Sequence, residues 1–193
     1  YFFKNGKPLT GWQLINGKWY YFSTYYGYMY TGACNIYEDD TSRMYFFDKN
    51  GAMVKSSGWF QEFYIDEVNK VTYTQEWYYL NKGEAVEGWK NINGKWYFFN
   101  PDRNGLMAQG VVTYSNTDKI YYFNEDGSMT TKSGWVHDFY YEYDDGKFVY
   151  DTDDWYYTNA DGTVKTGWLK IGSQQYYLDP KHGGRMVTGS MTM

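Results

Sequence analysis

The chain has 193 residues, 24% of them aromatic, with 25 Tyr, 9 Trp, 21 Gly and a net charge of −5. Rings at that density with a mean hydropathy of −0.75 exclude one large aliphatic core and point to many small units whose rings carry polar handles. An acidic chain without a Lys/Arg run is no partner for nucleic acid or an anionic membrane surface, and no apolar run is long enough for membrane insertion.

The chain opens in mid-unit. Tyr1-Phe2-Phe3-Lys4-Asn5-Gly6-Lys7-Pro8-Leu9-Thr10 aligns without gaps on Tyr78–Glu87, the tail of a later hairpin. Gly11-Trp12 then starts a short β-hairpin that turns at Asn16-Gly17 and returns as Trp19-Tyr20-Tyr21-Phe22. Asn-Gly suits a type I′ turn because both central residues need φ > 0. The same element recurs at Gly88-Trp89, Asn93-Gly94 and Trp96–Phe99, and in degraded form from Gly167-Trp168 to Leu178. Units therefore start at Gly11, Gly32, Gly58, Gly88, Gly110, Gly134, Gly167 and Gly189, after the partial unit 1–10, so that residues 1–193 form one repeat array. Each complete unit carries an aromatic triplet, a turn such as Lys49-Asn50-Gly51 or Glu125-Asp126-Gly127, and then an apolar residue, often Met: Met53, Met107, Met129, Met186.

A longer period runs above this one. Short, degenerate and long units follow one another over Gly11–Glu87, again over Gly88–Thr166, and Gly167 begins a third triplet. A repeat in threes suggests three hairpins per superhelical turn. In the long units the two Trp stand far apart, Trp59 from Trp77 and Trp135 from Trp155. The added segments, Glu62–Gln75 and Asp138–Asp153, are rich in Tyr and β-branched residues and read as extended hairpins that project from the array. Frequent Gly and the lack of a 3.6-residue apolar period argue against helices. A lone hairpin is marginal, so the units must bury their faces on neighbours. The expected fold is all-β, a solenoid of stacked β-hairpin repeats with two long protruding hairpins.

All nine Trp fall at two repeat positions, after the unit Gly or at the head of the aromatic triplet. Complete pairs are Trp12/Trp19, Trp59/Trp77, Trp89/Trp96 and Trp135/Trp155; the degenerate units carry Ala33 with Met44 and Val111 with Ile120 instead, and Trp168 is matched only by Gln175. For the Tyr and Phe of the triplets, packing is the stronger reading. For the Trp pairs a ligand site weighs as much as core. Two or three rings around a gap hold a quaternary ammonium by cation–π attraction and apolar contact, and the same flat rings stack on a sugar face. Met beside them supplies a polarizable, adaptable wall.

Gly-Trp-x-x-x-x-Gly-x-Trp-Tyr-Tyr/Phe followed by Asp/Asn-Gly-x-Met-x-x-Gly resembles the cell-wall-binding repeat of Gram-positive bacteria. That superfamily includes the choline-binding repeats of streptococcal and phage surface proteins, and its relatives are the glucan-binding repeats of glucansucrases and the repeats of clostridial toxins. The likeness is strong at Gly11–Phe22 and Gly88–Gly110 and recognisable along the whole chain. It implies a β-solenoid in which ligand sits between consecutive hairpins, in a cage of two rings from one unit and one from the next. Carried over by motif position, Trp12 and Trp19 would be closed by Tyr45, Trp59 and Trp77 by Trp96, Trp89 and Trp96 by Tyr121, and Trp135 and Trp155 by Tyr176. The degenerate units supply no full cage. The long hairpins are not typical of choline repeats and stand where they could cover or reshape the site between units.

Other constellations carry less. Asp144, Asp145, Asp151, Asp153 and Asp154 have the hard oxygens that calcium takes, but a run of like charge reads as a solvated hairpin tip. His137 and His182 recur in no other unit, no acid recurs with the aromatic motif, and nothing calls for a metal or cofactor. A single Cys34 excludes an internal disulfide framework and reads as a buried or partly buried thiol. The expected function is a non-catalytic module that anchors a secreted protein to the bacterial cell surface through choline on teichoic acid. The alternatives are binding of an α-glucan or other glycan, and a structural array whose long hairpins take a protein partner. Because the chain starts and stops inside repeats, it reads as part of a longer protein, and a catalytic domain would lie outside it, before Tyr1.

Overall fold

The structure is a computed structural model that describes residues 2–38, 40–65, 70–113, 119–138, 141–144, 147–150 and 154–188. Antiparallel ladders of two or three strands make up the described residues, which contain no α-helix. Two single 3₁₀ turns, Pro101–Arg103 and Pro180–His182, are the exceptions, each opened by an Asn100 or Asp179 side chain that accepts from a backbone N–H two residues on, with Pro at the first helical position. Strands begin at Gly11, Gly32, Gly58, Gly88, Gly110, Gly134 and Gly167; Gly189 lies outside the described residues.

The turn chemistry acts as the sequence requires. Strand Gly11–Ile15 pairs with Lys18–Phe22 in the register Trp12↔Tyr21 and Leu14↔Trp19, which leaves Asn16-Gly17 as a two-residue turn with φ 50° and 78°. Asn93-Gly94 has φ 51° and 84°, both residues left-handed as a type I′ turn demands. The partial first unit turns at Asn5-Gly6, and its Phe3↔Pro8 pairing matches Leu80↔Ala85 in the later hairpin. After each triplet the chain folds back, so that the apolar residue beyond the turn meets the triplet's last ring, as in Phe47↔Met53 and Phe123↔Met129.

The chain divides into two compact units, Tyr1–Gly88 with Phe99–Met107, and Trp89–Phe98 with Ala108–Met193. In the first, the degenerate hairpin Gly32–Glu38/Thr41–Phe47 is buried on both faces, because successive side chains of a strand point opposite ways. Tyr45 and Phe47 face the short hairpin, in a cluster with Trp12, Tyr21, Ile36 and Met53. Phe46, Met44 and Ala33 face the long hairpin, in a cluster with Phe60, Phe63 and Tyr78. The second unit repeats the arrangement: Tyr121 and Phe123 cluster with Phe98 and Met129, and Ile120, Tyr122 and Val111 with Tyr156, Val136 and Val164.

The first long hairpin, Gly58–Ile65 with Val71–Asn81, differs at its root from a simple projecting arm. A register shift between Gln61 and Phe63 marks a bulge. Phe63 is buried in the core cluster, and Glu62 Oε2 accepts the Ala33 N–H at 2.8 Å. Burial pushes the Glu62 carboxyl up to about 7, although the Ala33 and Phe63 N–H groups pull the other way. The second long unit meets its neighbour in the same manner, with Asp138 Oδ1 accepting the Val111 N–H at 3.2 Å. There the arm is two ladders, Gly134–His137/Trp155–Thr158 and Tyr141–Asp144/Lys147–Tyr150. Tyr78 and Tyr156 occupy matching places in the two closed clusters, and each is pushed up to about 12, first by burial and then by nearby acids. The Sγ of the half-buried Cys34 donates to the Thr31 carbonyl at 3.2 Å, and burial raises its thiol to about 12.

Candidate functional site

The Trp rings do not join these cores fully. Trp89 and Trp96 remain 39% and 46% exposed, whereas Phe47, Phe99 and Leu178 of the triplets are 0% exposed. The cause is register. Trp12 stands directly across from Tyr21 of the triplet (ring centroids 5.1 Å), at the end of the hairpin away from its turn, and diagonally from Trp19 on the same face.

At the first short hairpin, Trp12 and Trp19 meet at 6.3 Å and 86°, and Tyr45 of the next hairpin closes on Trp12 at 4.8 Å and 70°. At the second, Trp89 and Trp96 meet at 6.4 Å and 79°, and Tyr121 closes on Trp89 at 4.9 Å and 73°. The two sets of three rings are thus near copies, built from different stretches of chain. Each has a Met pinned beside it: Met53 N–H donates to the Trp19 carbonyl at 2.8 Å, and Met129 N–H to the Trp96 carbonyl at 2.7 Å. Around the first set lies a cavity of about 320 Å³ lined by Trp12, Trp19, Tyr45, Met53 and Lys55. It is the right size and chemistry for a small group with an apolar surface.

Two further ring groups were predicted. Trp59 and Trp77 form the same right-angled pair, 6.3 Å apart at 85°; their expected third ring, Trp96, belongs to the other unit. Trp135 meets Tyr176 at 4.9 Å and Tyr157 at 5.4 Å, but the ring against Trp155 is His137, at 5.0 Å. The register explains it: Trp155 lies across from His137, where the first hairpin sets the flexible Leu14 across from Trp19. His182, the other isolated histidine, approaches Asp179 with Nδ1 at 2.6 Å from Oδ2. Asp145, Asp151 and Asp153 of the acidic run lie outside the described residues. Among the described residues no group of three His, Cys, Asp or Glu is arranged to hold a metal ion, and no helix is long and apolar enough to cross a membrane.

The Met walls expected beside the rings are Met53 and Met129. Lys55 was not named in advance, though it was legible as Met-x-Lys after the turn at Gly51. A second, polar cavity of about 730 Å³ in the second unit is lined by Lys95, Tyr122, Asn124, Glu125, Asp126, Ser128 and His137. Across it Lys95 Nζ donates to Asp126 at 2.8 Å.

Comparison with known proteins places these features in a family. The model of the choline-binding repeat matches residues 9–59 and 86–135, and that of the cell wall binding repeat matches 146–163 and 166–181. A glucosyltransferase-I of Streptococcus downei is 33% identical over 80% of this chain, and a glucosyltransferase-S of Streptococcus mutans is 27% identical over 99% of it. The chain spans only 8% and 16% of the length of these relatives. Among solved structures, choline binding protein F of Streptococcus pneumoniae is similar at 23% identity, covering 95% of this chain and 82% of that one, with a TM-score of 0.40. The modular autolysin LytC of the same organism has 24% identity, 93% and 34% coverage and a TM-score of 0.36. With both short hairpins and the degenerate hairpins that follow them inside the matched residues, the chain belongs to the choline-binding repeat family of cell-wall-binding proteins.

Proposed function

We infer that the array is a non-catalytic module that holds a secreted protein at a bacterial surface by binding choline on teichoic acid. The observation that carries this reading is the ring set built twice over, with two indoles at right angles, a third ring closing from the next hairpin and a Met wall. A quaternary ammonium presents a diffuse charge and an apolar methyl surface, which ring faces and a thioether accept without hydrogen bonds. Each cage alone would be weak, with a dissociation constant on the order of 1 mM, or about −4 kcal/mol. Several cages on one polymer would add avidity through effective concentration. A catalytic region, if the whole protein has one, belongs outside these residues, in keeping with the small share of the relatives that the chain spans.

The test is retention on a choline matrix, with elution by free choline. Trp89→Ala and Trp96→Ala should each weaken retention sharply, and undiminished retention of both would remove the assignment. A second reading, an α-glucan or another glycan in the same rings, draws on the relatives being glucosyltransferases. Retention on dextran that free choline does not compete would favour it.

A further inference from the structure

The two cages have the same rings and the same Met, so what distinguishes them is charge. In the first, Lys55 is part of the cavity wall. By alignment from the turn glycines, Gly51-Ala52-Met53-Val54-Lys55 against Gly127-Ser128-Met129-Thr130-Thr131, the second cage has the uncharged Thr131 there. The turns differ in the same sense. Lys49-Asn50 follows the triplet that closes the first cage, and Glu125-Asp126 the triplet that closes the second. Lys18 and Lys95 each precede the second Trp of their hairpin, and Lys95 pairs with Asp126 at 2.8 Å. Both turns use an acid in their own hydrogen bonding, Asp48 Oδ1 accepting the Asn50 and Ala52 N–H groups and Asp126 Oδ1 the Ser128 N–H. The cage walls therefore differ at one position, Lys55 in the first and Thr131 in the second, while Glu125 and Asp126 line the separate polar cavity with Lys95, Tyr122 and His137.

Resting on the choline reading above, we propose that the two cages divide their ligands: the Trp89/Trp96/Tyr121 cage takes the quaternary ammonium, and the Trp12/Trp19/Tyr45 cage, walled by Lys55, takes an uncharged sugar ring. An ammonium entering the first cage meets like charge at contact range, which in a water-exposed site costs about fivefold in affinity. A bare anion is no better suited, because the indole and phenol faces carry negative quadrupole density. A sugar satisfies both walls. Its C–H face stacks on the rings, and a hydroxyl accepts from the Lys55 ammonium. An array of this kind would read choline and glycan on one surface polymer.

The experiment is a titration of the whole chain with choline chloride, and separately with isomaltotriose, followed by the indole N–H resonances of Trp12, Trp19, Trp89 and Trp96, each assigned by its Trp→Phe variant. Choline should shift Trp89 and Trp96 first and reach Trp12 and Trp19 only at about fivefold higher concentration, with the gap closing at high salt. Lys55→Thr should bring Trp12 and Trp19 down to the choline range of the second cage. Isomaltotriose should shift Trp12 and Trp19, and Lys55→Thr should weaken that response. Equal choline response in both cages of the unaltered protein would overturn the division and leave the choline reading standing. Silence of all four indoles to choline would overturn both, and the isomaltotriose arm would then show whether the rings bind sugar. A first cage that rejects choline yet ignores isomaltotriose would sink the sugar assignment.

Discussion

The two faces of the degenerate hairpin in the first unit make the most instructive comparison in the molecule. On one face, Tyr45 and Phe47 meet a hairpin that carries a Trp pair, and the outcome is an open cavity. On the other, Ala33 and Met44 stand where a Trp pair would be, and Phe60, Phe63 and Tyr78 of the long hairpin close over them. The backbone register at the two places is the same, Gly opposite the last ring of a triplet: Gly11↔Phe22 and Gly32↔Phe47. Removing two indoles from a repeat thus does not leave a hole. It makes room for the next hairpin to lengthen and dock, with an acid sealing the exposed N–H of the residue after the Gly. The second unit reaches the same arrangement with other residues, Val111 and Ile120 for Ala33 and Met44, and Asp138 for Glu62. The lesson is that a Trp pair keeps an interface open, and its absence lets the interface be sealed.

The sealed face should carry the stability. Phe63→Ala removes a ring that is 6% exposed and should lower the unfolding free energy by about 3 kcal/mol, read by denaturant unfolding. A loss below about 1 kcal/mol would mean that the long hairpin docks only loosely. The unit glycines offer a sharper contrast at matched positions. Gly11 and Gly32 have φ 66° and 76°, so alanine is strained at both. An added Cβ meets nothing at Gly11, but at Gly32 it runs into Glu62 Oε1 and lies 2.9 Å from the Phe63 carbonyl. Gly32→Ala should therefore cost about 2 kcal/mol more than Gly11→Ala, and equal costs would deny the close approach.

Much of this was legible before any coordinates. The recurring Gly, the Asn-Gly turns and the period-2 alternation of the triplets determine register, and register determines which rings share a face. What escaped was non-local. Glu62 is 29 residues from Ala33, and in the sequence it reads only as the first residue of a projecting segment; nothing nearby marks it as a partner for a backbone N–H. Asp138 escaped in the same way. The pairing of Trp155 with His137 follows from what lies across the strand, which a repeat-by-repeat alignment of Trp positions does not ask. The 3₁₀ turns did have a local sign, the Asn100-Pro101 and Asp179-Pro180 steps, each an N-cap residue followed by Pro.

The open face should behave in the opposite way, sensitive in binding and tolerant in stability. Trp96 is nearly half exposed, so Trp96→Ala should cost only about 1.5 kcal/mol of unfolding free energy while cutting choline retention. A loss of stability matching that of Phe63→Ala would return the ring to the core and remove the distinction between the faces.

The smallest effect tests how the seal is protonated. Glu62 is partly buried, and burial raises its carboxyl to about 7 in the folded chain from an ordinary value of 4.5. A raised carboxyl favours the folded state when it is protonated. Its contribution is fully present below about pH 4.5, and it is lost as pH rises through about 7. Because the group keeps some access to water, the swing between pH 5 and pH 8 should amount to about 1 kcal/mol, well under the nominal value of the shift. Glu62→Gln keeps an oxygen to accept the Ala33 N–H and removes the proton equilibrium. Unfolding free energies measured across that range should then fall with rising pH in the unaltered protein and flatten in the variant. If both fall alike, the pH dependence arises elsewhere, and Glu62 seals the hairpin as an ordinary exposed carboxylate would. A flattened profile with unchanged choline retention would show that sealing and ligand binding are separate properties of the two faces of one hairpin.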